Sequence, residues 1–379
     1  MTRGVEMSAS QITVLPVDNG DSIMIEHDGC VVITDLNYRK DSQDDNDDCY
    51  DIGEDIRDAC FDAHDEYACD VFVLTHPDKD HRGGFEDLFY VGDPSKWKSL
   101  KTELLVKELL VKELLVKELW VSEYMDDSSR STDASKFLFD EVARRKKLSG
   151  GSDGDKDGNR IKILASDGED TEGSLGDKSN LEWLLLAPTQ EEADIESEDS
   201  SNDSSLVIRW NAKVDGSDNL VLLGGDSGVD IWERIWEDHE NDTAPITWQF
   251  LVAPHHCSRS SMARKDVESG KYDYSDDALK ALGEIDGNGF ITSSSNKVVN
   301  AKPNPPSFEA KNKYLNILHK SKSDGEKRFF CTGSHKNGKP APVVFKFTSG
   351  GITTKMVTSS AAVIGSNSLT SEASTYGQG

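Results

Sequence analysis

The sequence predicts an α/β fold in which strand-like runs alternate with helical segments and end in loops rich in aspartate and histidine. Three observations point there. Residues 12–35, ITVLPVDNGDSIMIEHDGCVVITD, alternate apolar and polar positions around an Asn-Gly turn and again around Asp28-Gly29. Residues 226–239, DSGVDIWERIWEDH, carry apolar positions at helical spacing after a glycine-aspartate turn. Between them, the β-branched run DVFVLT at 70–75 stops where the polar stretch THPDKDHRGG begins.

Taken in order, the opening segment reads as successive antiparallel strands of one half of a β-sandwich. From Arg39 to Ala68 the composition turns acidic, with DSQDDNDDCYDIGEDIRD, and such a run reads as a solvated loop or the exposed face of a short helix. The glycine and terminal glutamate spacing of an EF-hand loop is missing, which argues against calcium binding. DVFVLT then places THPDKDHRGG on the loop at a strand's C-terminal end.

Residues 103–119, ELLVKELLVKELLVKEL, hold LVKEL three times at a period of five. Five residues advance an ideal helix by about 500°, about 140° beyond a full turn, so the units do not stack on one face. Glutamate and lysine favour helix and the closing ELWVSEY reads as a strand, which gives a helical or extended insertion feeding a strand. Its dense leucines make it a candidate surface for a protein partner. Residues 125–160 and 189–205 are rich in Ser, Asp, Glu and Gly and read as loops or insertions. Strand-like runs follow at LEWLLLAP (181–188), SLVIRW (205–210), NLVLLGGD (219–226) and ITWQFLVAPHH (246–256). PPSFEAKNKYLNILHK reads as a helix with a proline-containing start, and KRFFCTG and APVVFKFTSGG as strands. The expected organisation is one domain over 1–357 with insertions near 39–68, 93–160 and 189–205, and a low-complexity tail at 358–379.

At 379 residues the chain has the length of two ordinary domains or one large α/β domain, so motif order decides. A formal charge of −28 argues against unaided duplex binding through a basic surface. A nucleic-acid or phosphate substrate would need bound cations or a local basic patch. Six cysteines without a CxxC pair fit a reducing cytoplasm. The N-terminus lacks an apolar leader and no stretch approaches the roughly 18 apolar residues of a spanning helix, so a soluble protein without a membrane association is expected.

His76, Asp78, Asp80 and His81 crowd four potential ligands onto one short loop. Alternation puts His76, Asp78 and Asp80 on one side, and a turn can bring His81 beside them. Two oxygen donors and two imidazoles suit one or two divalent ions, with zinc or manganese leading. The competing reading is a polar loop facing solvent. Further ligand types recur at later strand ends: Asp226 follows LVLLGG, and His255-His256 follow FLVAP. The preceding glycines allow close backbone approach, and the proline fixes the chain as it leaves its strand.

The order DNGDSIMIE, VVITD, THPDKDHRGG, SSLVIRW, LLGGD, LVAPHHCS and ITSSSN resembles the metallo-β-lactamase fold, in particular the soluble hydrolase domain of ComEC-type DNA-uptake proteins. The resemblance covers roughly residues 12–350 and implies a four-layer αβ/βα sandwich with its site along one edge of the two sheets. In the wider superfamily the metal loop reads HxHxDH. In the DNA-uptake branch the middle histidine is commonly aspartate, as at Asp78. Carried over by position, the resemblance implies His76 and Asp78 for a first metal, Asp80 and His81 for a second, Asp226 as a bridge and His255 completing the second site. Asp35, at the end of VVITD, would brace the metal loop by orienting its ligands. The sequence departs from the pattern in having no counterpart of the third-motif histidine. The usual glycine after PHH is Cys257, followed by Ser258, and there is no membrane channel, so DNA import is not implied.

The function expected from these residues is metal-dependent phosphodiester hydrolysis, as a phosphodiesterase or nuclease acting on nucleic acid or a small phosphodiester through a metal-activated hydroxide. Asp80 or Asp226 would orient the attacking group. His256 or Ser258 would hold a non-bridging oxygen or protonate the leaving group, and Arg82 is the nearest fixed cation in sequence. Two alternatives stand beside this: hydrolysis of a small ester, lactone or amide, and a metal-stabilised binding component of a multi-protein system, such as a defence system.

Overall fold

A computed structural model describes residues 9–43, 49–97, 114–194, 200–301 and 304–354. Among the described residues, the strands form two large mixed sheets and one small hairpin. The first sheet has eight strands, in the order Thr353–Thr354, Val343–Lys346, Gln11–Val14, Ile23–His27, Cys30–Thr34, Ala68–Leu74, Leu115–Ser122 and Arg160–Leu164. The second has seven: Phe329–Cys331, Ile285–Ser293, Trp248–Val252, Leu220–Leu223, Val207–Ala212, Leu181–Ala187 and Glu172–Leu175. Each is antiparallel on one side and parallel on the other. Parallel pairing runs from Cys30–Thr34 to Arg160–Leu164 in the first sheet and from Leu220–Leu223 to Phe329–Cys331 in the second.

The alternation read in residues 12–35 sets the register of the opening meander. Ile12 pairs with Ile25 and Ile25 with Val32, and all three face the second sheet. Along Ala68–Leu74 the same period of two sends Val71 and Val73 between the sheets and Phe72 and Leu74 outward. Trp120, Trp183 and Trp210 fill the space between the sheets, with Trp120 packed at 4.7 and 5.8 Å from the other two rings. The outer face of the first sheet is covered by the helices Ile52–His64 and Lys136–Leu148. Val229–His239, Asp276–Ala281 and Phe308–Ser321 cover the second. The result is two mixed sheets face to face, flanked by helices.

Two stretches expected to be insertions carry core helices. In the acidic block, Asp51 caps the helix Ile52–His64 by accepting from Gly53 N, and Ile52, Ile56, Ala59 and Cys60 form its buried face. Only the opposite face is acidic. Within 93–160, Lys136–Leu148 buries Leu138, Phe139 and Val142 together with the Glu141–Arg145 pair at 2.7 Å. Its many charges concealed the apolar stripe. The third LVKEL unit is part of the strand Leu115–Ser122, held between two parallel neighbours rather than inserted. The first two units lie outside the described residues apart from Leu114, as does the tail at 358–379. Residues 189–205 contain the short helices Gln190–Asp194 and Ser200–Asp203. No helix among the described residues is long and apolar enough to cross a membrane.

Candidate metal centre

The C-terminal ends of parallel strands from both sheets meet at one edge. Cys30–Thr34 ends at Asp35, Ala68–Leu74 at Thr75-His76, Leu220–Leu223 leads to Asp226 and Trp248–Val252 to His255-His256. The sheets are tied there by Leu206 N donating to Thr75 O at 3.1 Å.

Asp35 is fully buried and organises the metal loop. Its Oδ1 accepts from Thr75 N at 2.8 Å, and its Oδ2 accepts from Thr75 Oγ1 at 2.7 Å and from His81 Nδ1 at 2.8 Å. A carboxylate partner makes Nδ1 the donor, which leaves His81 Nε2 free to act as a ligand. Residues Lys79–Arg82 form a single helical turn that sets Asp80 and His81 in place. Gly84 follows in the left-handed region at φ 70°, where any Cβ would run into the Tyr38 carbonyl.

Three donor atoms converge in the buried space this creates. Asp226 Oδ1 lies 3.1 Å from His81 Nε2 and 3.3 Å from His256 Nε2, and the two Nε2 atoms are 3.2 Å apart. Tetrahedral ligands about 2.0–2.1 Å from a zinc ion stand about 3.3–3.4 Å from one another, so the triangle has the dimensions of one face of such a shell. Asp21 joins these three in a buried group whose ligand atoms all lie within 4.8 Å of one another. Asp80 Oδ2 approaches His256 Nε2 at 3.5 Å. On the other side, Asp226 Oδ2 faces His255 Nε2 at 3.5 Å, and Asp78 Oδ2 faces His76 Nε2 at 3.8 Å. Asp226 therefore stands between two donor groups. Two atoms of these donor groups, Oδ1 of Asp226 and Nε2 of His76, are buried without a hydrogen-bond partner. Leaving such atoms orphaned is costly unless a cation satisfies them, and the imidazole and carboxylate donors around them fit one or two divalent ions.

The two histidines reach opposite oxygens of Asp226 because the chain coils backwards after Pro254. His255, His256 and Cys257 adopt φ values of 50°, 52° and 67°, and the two rings stand 88° apart. His255 N donates to Gly225 O at 2.9 Å, which ties this turn to the Asp226 loop. Cys257 is buried, and burial pushes its thiol up to about 12, so it packs as a neutral group. Ser258 Oγ bonds Ser260 Oγ and Asn304 Oδ1 at 3.1 and 3.2 Å and shapes the following loop without joining the donor group.

Charge follows the same geometry. Burial disfavours ionised Asp226, yet His256, His81 and His255 outweigh it and hold the carboxyl well below the usual range. Burial likewise works against protonated His81 and His256, but Asp226 with Asp35 raises the first, and Asp226 with Asp21 raises the second. His76 is pushed far down by burial and by His81. Asp80 sits at about 2, where burial is overcome by His256 and His81, and it remains a carboxylate at neutral pH.

The structure brings His76, Asp80, His81, Asp226, His255 and His256 to one place, with Asp35 beneath them. The pairing differs from the expectation. His256 rather than His255 faces His81 and Asp80, and His255 lies on the Asp226 oxygen away from them. Asp78 is nearly half exposed and is engaged by Ser201. Ser258 stays apart, and Arg82 is turned away, with Nε on Pro77 O at 2.6 Å and Nη1 on Ala134 O at 2.7 Å. The residue that sequence reading missed is Asp21. It follows an Asn-Gly turn, where an aspartate already has a local explanation.

No protein-family model matches the chain, and no curated protein matches it. Solved structures of similar outline include an isothiocyanate hydrolase from Delia radicum gut bacteria, 11% identical, with 88% of this chain and 99% of that one covered at a TM-score of 0.40. A metallo hydrolase from the archaeon Ignicoccus hospitalis is 11% identical over 89% of this chain and 100% of its own, with a TM-score of 0.39. A subclass B3 metallo-β-lactamase of Bradyrhizobium japonicum is 13% identical over 72% and 90%, with a TM-score of 0.30. At these values the chemistry is decided by the residues of the site.

Proposed function

We propose that this chain is a metal-dependent hydrolase of the metallo-β-lactamase superfamily, acting on a small ester, lactone or amide. The observation that carries the reading is the buried triangle of His81 Nε2, His256 Nε2 and Asp226 Oδ1, with edges of 3.1–3.3 Å. These three atoms, with Asp80, would hold one ion. His76, Asp78, His255 and Asp226 Oδ2 would hold a second. A divalent ion bound there supplies Lewis acidity, which acidifies water and polarises a scissile carbonyl. Asp80, ionised and partly exposed, would accept a hydrogen bond from the attacking water through its carboxylate and so orient it.

The choice of an acyl substrate rests on charge. Asp21, Asp35, Asp78, Asp80 and Asp226 surround the site, and the chain carries −28 overall. Arg82, the nearest fixed cation in sequence, is committed to two backbone carbonyls, so a phosphodiester would have to rely on the bound ions for positive charge. A neutral carbonyl substrate meets less repulsion than a polyanion. Phosphodiester hydrolysis is the second reading, favoured by the presence of two donor groups sharing Asp226, since paired ions clamp a phosphoryl group well.

The test is purified protein loaded with Zn²⁺ or Mn²⁺, assayed against carboxylic esters, lactones and amides beside single- and double-stranded DNA, RNA and small phosphodiesters. Turnover of an acyl substrate that disappears in Asp226→Ala is the expected result. Turnover confined to phosphodiesters selects the second reading. Metal uptake without hydrolysis of either class overturns both and leaves a metal-stabilised binding protein.

A further inference from the structure

We infer that Asp21 is the positioning residue for His256, as Asp35 is for His81, so that the centre is built on two carboxylate–imidazole pairs whose free nitrogens face each other. The inference rests on reading the cluster as a metal centre.

Asp21 Oδ1 lies 3.6 Å from His256 Nδ1, and both residues are buried. Neither atom has another hydrogen-bond partner. Two orphaned polar atoms of opposite kind, facing one another out of water, make an ordinary N–H···O bond once the gap closes by about 0.6 Å. His256 Nε2 is turned the other way, toward Asp226 Oδ1 at 3.3 Å. A proton on Nδ1 held by Asp21 therefore fixes the tautomer that offers Nε2 as a donor. The arrangement repeats at His81, where Nδ1 meets Asp35 Oδ2 at 2.8 Å and Nε2 meets Asp226 Oδ1 at 3.1 Å.

The chain around Asp21 is anchored for such a role. Asp21 N donates to Asp80 O at 3.2 Å, and Ser294 Oγ donates to Gly20 O at 2.6 Å. Asn37 Nδ2 donates to Val17 O at 3.0 Å. Gly20 is required at this point, because a Cβ there would sit 2.7 Å from Asp80 O. The first hairpin turn is thereby clamped onto the metal loop, and Asp21 reaches His256 from a fixed base. The side chain acts through His256 and needs no contact with substrate.

The experiment compares full-length wild type, Asp21→Ala and Asp21→Asn for zinc stoichiometry, for zinc affinity by chelator competition, and for the ¹⁵N signals of His256 in histidine-labelled zinc-loaded protein. Circular dichroism confirms that each variant is folded. Asp21→Ala is expected to lose about 10–100-fold in zinc affinity and the protonated Nδ1 signal of His256. Asp21→Asn keeps an oxygen that accepts from Nδ1 and is expected to recover most of the affinity and the signal, with wild-type stoichiometry. Wild-type affinity in Asp21→Ala overturns the inference. So does an Asp21→Asn variant as weak as the alanine and lacking one equivalent of zinc, because Asp21 would then be a ligand. A wild type that binds no zinc removes the metal-centre reading itself, an outcome distinct from either variant result.

Discussion

Asp35→Asn separates orientation of the metal ligands from stability of the fold. The carboxylate accepts three hydrogen bonds, at 2.8 Å from Thr75 N, 2.7 Å from Thr75 Oγ1 and 2.8 Å from His81 Nδ1. An asparagine of the same shape has two ways to sit. With its nitrogen toward Thr75 N, a buried backbone N–H meets another donor, at a cost of about 1–3 kcal/mol. With its nitrogen toward Thr75 Oγ1 and His81, the hydroxyl rotates to accept, and the imidazole changes tautomer so that Nδ1 accepts instead of donating. The second arrangement costs less and preserves the loop. It moves the imidazole proton to Nε2, where it points at Asp226 Oδ1 and occupies the place of a cation. The variant should stay folded, losing about 1–2 kcal/mol for exchange of charge-assisted bonds by neutral ones. Its zinc affinity should fall about 10–100-fold, equivalent to about 1.4–2.8 kcal/mol. Urea unfolding measures the first quantity and competition with a chromophoric chelator the second. A folded variant with wild-type zinc affinity would refute the tautomer argument.

Other parts of the structure yield predictions of different kinds. Glu141→Ala leaves the guanidinium of Arg145, only 2% exposed, without its 2.7 Å partner, and should destabilise the protein by about 3–5 kcal/mol in urea unfolding. Gly225→Ala forces a residue at φ 50° to carry a Cβ 2.9 Å from Thr75 Oγ1, so the melt should show a loss of about 1–3 kcal/mol and zinc should bind more weakly through displaced Asp226. Burial tends to raise Asp70, but His64 at 2.7 Å, Val31 N at 2.8 Å and Lys117 at 3.0 Å hold it below the usual carboxylate range. A depressed carboxyl contributes stability that is present above its unfolded pKa of about 3.9 and lost as pH falls through its folded value. Urea midpoints of Asp70→Asn should therefore change less than those of wild type across this acid range. Chelation of the bound cation should abolish turnover and lower the melting temperature, with both restored on adding back the ion, because the cation binds only the folded site.

The sheets were legible because their residues obey the period of two, as Val71 and Val73 against Phe72 and Leu74 illustrate. So was the gathering of His76, His81 and Asp226 at strand ends, whose residue types are hard to explain on a solvated loop. The helix Lys136–Leu148 was not legible, because its buried face includes Glu141 and Arg145, and a paired charge in the core looks in sequence like a charge in solvent. Asp21 had a signal that composition alone does not carry. The antiparallel pairing of Ile23 with Thr34 puts the start of Ile23–His27 beside the end of Cys30–Thr34, so Asp21 and Asp35 arrive at the same edge. Register, rather than spacing along the chain, brings them together.

The placement of His255 and His256 on opposite oxygens of Asp226 has a backbone cause. An extended chain leaving Trp248–Val252 would send consecutive side chains to opposite faces, and only one of the two rings would reach the site. Three successive residues in the left-handed region curl the chain so that both do, one on each oxygen of Asp226. None of the three is glycine, so each conformation costs on the order of 1–3 kcal/mol, which the surroundings must offset. The restraints are visible: His255 N on Gly225 O at 2.9 Å, Ser258 N on His255 O at 2.9 Å, and Asn304 Oδ1 accepting from both Ser258 Oγ and Arg259 N. Packing of buried Cys257 against the Ser307 carbonyl closes the turn. The strain is thus held at the point where it directs two imidazoles onto one carboxylate.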